Sequence, residues 1–122
     1  MKSVAFACAC VAAGTLAALP ARALEPAESI AAYHMANRCF AVIDAVSRTE
    51  LPSDARRRLD QMIFWGVAAK SFGDEAKVSP DQQRAHLEAA ASQAEAEVAR
   101  NDPGPEEDLA ECDAAFRMAM RD

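Results

Sequence analysis

The chain has 122 residues, of which 26% are charged and 52% hydrophobic, and its formal charge at neutral pH is −6. That length accommodates one small domain and not two. The acidic balance sets the chain against nucleic acid and against anionic membrane surfaces, whose phosphates it would repel.

Lys2, an apolar run from Val4 to Leu19, Pro20 and then Ala21-Arg22-Ala23 follow the three-part layout of a secretory signal peptide. A membrane span wants about 20 apolar residues, and this run is shorter, so residues 1–23 are read as a cleaved leader. Cys8 and Cys10 lie inside the run and leave with it. Cleavage after Ala23 leaves one domain, residues 24–122, and removes Lys2 and Arg22. The formal charge then falls from −6 to −8, because every acidic residue lies beyond the cleavage point. Nothing later in the chain is apolar for long enough to cross a bilayer, so no membrane association is expected after cleavage. The expected location is a periplasm, with release to the medium as the alternative.

Two cysteines remain, Cys39 and Cys112. In an oxidising compartment they are expected to pair. Their wide separation closes a long loop, worth about 4 kcal/mol in the chain-entropy model.

The first helix is expected from Pro26 to Ser47, with Pro26 at the first helical position and Glu28 in the first turn. Ile30, Tyr33, Ala36, Phe40 and Ile43 recur at spacings of three and four, and Cys39 falls inside that stripe. A second helix is expected to start near Pro52 to Asp54, with Ser53 as its cap, and to run to Phe72, with Gly73 as a left-handed stop. It carries the only Trp and the densest apolar stretch beyond the leader, Leu59 to Phe72. Leu59, Met62, Ile63 and Val67 mark one face, yet Phe64, Trp65, Ala68 and Phe72 spread around the others. A helix apolar nearly all round is expected to be enclosed by its neighbours. Gly66 in its middle implies a close neighbour or a covering ring.

Ser79-Pro80-Asp81-Gln82 is a capping box with Pro at the first position, and it opens an Ala-rich third helix to about Arg100. Leu87, Ala90 or Ala91, Ala94 and Val98 form its thin apolar line. Asn101-Asp102-Pro103-Gly104 breaks the chain. Pro105 with Glu106, Glu107 and Asp108 reopens it as a fourth helix, on which Leu109, Cys112, Phe116 and Met120 face inward.

Short loops between four long helices predict an all-α fold, a small antiparallel four-helix bundle of up-down-up-down topology. In it the first and last helices run antiparallel and their cysteines can meet. Arg56, Arg57 and Arg58 are then expected at the same end as Glu106 to Asp108.

The chemistry-bearing residues are few. His34 and His86 belong to no ligand spacing that would bring two donors onto one helix face, so no metal site is predicted. Met62 and Met120 read as core rather than as soft-metal ligands. No serine or cysteine has a base and an orienting acid in context, and no pair of acids is placed to split two pKa values, so no catalytic residue, no cofactor and no enzyme are predicted. The first functional expectation is a non-enzymatic protein of the cell envelope that binds another protein. Its partner surface would use Tyr33, Trp65 and Phe72, or the acidic end near Glu106. The alternative is a carrier of a small ligand or metal in the bundle interior, with His34 or His86 as a contact.

Overall fold

The computed structural model describes residues 25–121. The expected leader, residues 1–23, and its cleavage point lie outside the described residues. Those described fold entirely into helices and turns: α1 (Pro26–Ser47), α2 (Pro52–Arg57), α3 (Leu59–Glu75), α4 (Pro80–Ala99) and α5 (Gly104–Arg121). None of these helices is long and apolar enough to cross a membrane.

The first helix has the predicted bounds, and the Glu28 carboxylate accepts a hydrogen bond from the Glu25 backbone N–H at 2.9 Å, closing its first turn. The expected second helix is two. The two helices are interrupted at Arg58, whose backbone stays right-handed at φ −94°, ψ −4°, and its guanidinium donates to both Glu50 oxygens, at 2.8 and 2.7 Å. This bidentate pair, from the turn after α1 to the break before α3, fixes the elbow. Leu51, not Ser53, is the residue before the first turn. Gly73 does not end α3 either. The chain turns left-handed at Lys77 (φ 62°), and the Val78 N–H donates to the Gly73 carbonyl at 2.9 Å, a Schellman stop four residues later than expected. Asn101 (φ 60°) ends α4 in the same way, with Asp102 N–H donating to Glu97 O. The capping box at Ser79 and Gln82 is present as predicted.

The core sits along α1, not along α3. Tyr33, Ala36, Cys39, Ala41, Val42, Ile43 and Ala45 are all buried, whereas α3 buries only Trp65, Ala69 and Gly73. Those three lie four residues apart on one line. The side chains along it shrink from indole to methyl to hydrogen, so α3 lies close against α1. A Cβ on Gly73 would stand 2.9 Å from the Tyr33 ring, and one on Gly66 would meet the Phe40 ring at 3.4 Å. On the far side, Ala41, Val42 and Ala45 of α1 pack with Ala90, Ala94 and Val98 of α4. The third side belongs to α5. Cys39 and Cys112 are joined, with Cα atoms 5.7 Å apart, and Arg38 donates to Glu97 of α4 and Asp108 of α5, both at 2.7 Å. Burial disfavours the Arg38 charge, but these two carboxylates outweigh it and hold the guanidinium pKa above its ordinary value.

Cross-contacts fix the helix directions. Ser29 meets Glu75 and Phe40 lies by Gly66, so α3 runs against α1. Tyr33 meets His86, and Val46 packs near Val98, so α4 runs with α1. Arg38 meets Asp108 while Ala32 and Met35 lie by Ala115 and Ala119, so α5 runs against it. Directions therefore alternate along the long helices, but α3 and α4 dock on α1 rather than on each other. The expectation that Leu59 to Phe72 is enclosed is overturned: Leu59, Ile63 and Val67 are exposed, and α1 is the covered helix. The small line of α3 lets α1 approach, and a close backbone approach on that side turns the bulky side chains outward. Met120 is likewise exposed, not core. Arg57 pairs with Asp54 and Arg58 with Glu50, so the arginine run does not answer Glu106 to Asp108, of which Asp108 binds Arg38.

Three outcomes follow. Replacing Cys39 and Cys112 together by Ala is expected to lower the unfolding free energy by about 3–4 kcal/mol, read from urea titrations. Gly73→Ala is expected to cost about 1–3 kcal/mol through overpacking against Tyr33, whereas Gly66→Ala is expected to be neutral or to gain up to about 1 kcal/mol from helix propensity. The Glu50 carboxyl is held below its ordinary value of 4.5, chiefly by the Arg58 hydrogen bond. A depressed carboxylate pKa contributes stability that is present above 4.5 and is lost as pH falls through the folded value. The fall in melting temperature below that point should therefore be shallower in Glu50→Gln than in the unaltered protein.

Candidate functional site

Turning the bulky face of α3 outward leaves apolar surface beside α5. Phe64 stacks edge-on with Trp65 (centroids 4.8 Å apart) and with Phe116 (5.3 Å), which props α3 and α5 apart at their ring-bearing ends. Between them opens a groove of about 670 Å³, floored by Ala32 and Met35 of α1 and walled by Trp65, Ala68 and Phe72 on one side and Ala115 and Ala119 on the other. Its lip continues along Val67, 65% exposed, and Ile63, 58% exposed. Ile63 in turn adjoins a shallower hollow with Phe116 and Met120. Contiguous apolar surface of this kind marks an interaction site more often than isolated exposed residues do.

The three ring residues expected at a partner surface are divided by the fold. Trp65 and Phe72 line this groove. Trp65 is only 5% exposed and forms part of the wall, with its indole Nε1 buried and unpartnered; Phe72 is half-buried. Tyr33 is 1% exposed and lies on the other side of α1, where its hydroxyl shares a 2.9 Å hydrogen bond with His86 Nδ1. It is not part of the surface. Glu106, at the acidic end, is exposed.

The groove uses residues that the sequence did not single out. Ala32, Ala115 and Ala119 look like ordinary helical filler, and only their pairing across α1 and α5 gives them a role. The alanines leave space that larger side chains would fill.

His34 and His86 come together in space, with ring centroids 5.6 Å apart. Among the described residues, however, no group of three or more His, Cys, Asp or Glu side chains is arranged to hold a metal ion. No protein-family model matches the chain, and no curated protein or solved structure is similar to it at a significant level.

Proposed function

We propose that the protein is an exported, non-enzymatic component of the cell envelope, an up-down-up-down four-helix bundle released from residues 1–23, that works by binding another protein in the periplasm. The observation that carries this reading is the apolar groove beside α5 together with the exposed Ile63 and Val67 on its lip. The groove lies between two helices that run in the same direction over a floor of Ala32 and Met35, and its occupant is read as one amphipathic helix of the partner. Such a helix would lay anchors at i, i+3/i+4 and i+7 into it. Fully desolvated aromatic walls are where binding energy concentrates, and Trp65 and Phe72 supply them here. Export is supported by the Cys39–Cys112 bond, which suits an oxidising compartment.

A photo-cross-linking residue placed at Val67, compared with one at Ala89 on the exposed face of α4, tests the reading in intact cells. The expected outcome is one adduct of defined mass from Val67, none from Ala89, and loss of the adduct when Ile63→Asp is added. No adduct, equal adducts from both positions, or an adduct of twice the chain's own mass overturns it. The same preparation checks export: the recovered chain should begin at Leu24 in the soluble envelope fraction.

A further inference from the structure

Because α3 and α4 dock on α1 without pairing, a second opening remains between them, a crevice of about 290 Å³ on the side of α3 away from the groove. Its floor is α1, with Tyr33 and Asn37; Ala69 and Lys70 stand on the α3 wall, Arg84 and Leu87 on the α4 wall. Asn37 is 5% exposed, and its Nδ2 has no hydrogen-bond partner. Buried amides left unpartnered are costly and uncommon in folded proteins, and an aliphatic side chain at this place would avoid the cost. Neighbouring polar groups do not relieve it. The Tyr33 hydroxyl is committed to His86. The Gln83 amide donates to Asp74 and to the Val78 carbonyl, both at 2.9 Å.

Lys70 and Arg84 are the two cations of the lining, one on each rim. Each holds an exposed acid one turn along its own helix, Asp74 and Asp81 respectively. Exposed pairs of this spacing contribute little, so either cation can turn to an anion placed between the rims. The acidic surface elsewhere does not prevent that, because charges more than about 8–10 Å away are largely screened at physiological salt. At about 290 Å³ the crevice is at the small end of ligand sites, which favours a compact molecule over a lipid.

We propose that this crevice binds a small organic acid, with its carboxylate between Lys70 and Arg84, its short apolar body between Ala69 and Leu87, and a second oxygen, carbonyl or hydroxyl, accepting from Asn37 Nδ2 once the buried amide turns toward the opening. The proposal does not rest on the groove, which opens on the opposite side of α3. It gives a chemical class to a carrier role for the helical interior, and it assigns the contact to Asn37 rather than to His34 or His86.

The test uses the disulfide-bonded protein titrated with 5-oxohexanoate, hexanoate and 2-hexanone, followed by NMR at the Asn37 side-chain amide and the Leu87 methyls. The oxo acid is expected to bind most tightly, and the neutral ketone about tenfold more weakly than it or worse. Lys70→Gln and Arg84→Gln should each weaken both acids about fivefold and leave the ketone unchanged. Asn37→Leu should melt above the unaltered protein, since it removes the unpartnered amide, and should no longer prefer the oxo acid to hexanoate. The proposal is overturned if no probe shifts those signals, if the ketone binds as tightly as the acids, or if Asn37→Leu melts lower than the parent, which would make Asn37 a structural residue.

Discussion

Everything in this fold depends on how closely other helices can approach α1. Its buried side chains include Ala36, Ala41 and Ala45, and the helices that cover it answer with Ala69 and Gly73 from α3 and Ala94 from α4. Contacts between small side chains bring backbones together and gain dispersion over a long line, but each buries little area. The larger contributions come from a few residues, Tyr33, Ile43, Val42 and Trp65. A core of that size leaves a small domain near the marginal end of stability, about 5–15 kcal/mol overall. The bond between Cys39 and Cys112, which closes a 73-residue separation, is then a main contributor and not an ornament, at about 4 kcal/mol in the chain-entropy model. Arg38, tying α1 to α4 and α5 beside it, orients the same junction.

The close approach has a geometric cost that becomes a surface. On a helix with apolar residues on every side, only one face can be the near one, and in α3 the near face is the line of shrinking side chains Trp65, Ala69 and Gly73. Leu59, Ile63 and Val67, spaced four apart, are carried to solvent. A fully buried α3 would need larger partners on two more sides, and the Ala-rich α4 docks on α1 instead.

How much of this was legible beforehand follows from what local sequence encodes. Helix starts were readable where a proline and a reciprocal acid or amide stood together, as at Pro26 with Glu28 and at Ser79 with Gln82. Pairing of Cys39 with Cys112 followed from compartment and count. Helix ends were less legible, because a Schellman stop at Lys77 needs no glycine when the two following hydrogen bonds form. Arg58 at the break is tied to Glu50, eight residues earlier, a contact that no periodicity reveals. Which helix is central could not be read from hydrophobicity. Leu59 to Phe72 is the more apolar stretch, yet α1 is enclosed, because enclosure was decided by side-chain size along one line and not by total apolar content. For the same reason Trp65 and Phe72 were found at the groove while Tyr33, equally aromatic, was not.

The two openings share a wall. Ala69 and Lys70 of α3 face the crevice, while Trp65, Ala68 and Phe72 of the same two turns face the groove. Neither site can change its width by moving α3 without changing the other, and the ridge of α3 at Leu59, Ile63 and Val67 is 50–65% exposed. What resists such movement is Gly73 under Tyr33 and Gln83 at one end and the Glu50–Arg58 clamp at the other. Between those ends Trp65 and Ala69 pack in the core beside Ala36 and Ile43 of α1, and Gln61 donates to Asp113 of α5 at 2.7 Å, so the wall that both openings share is held along its length.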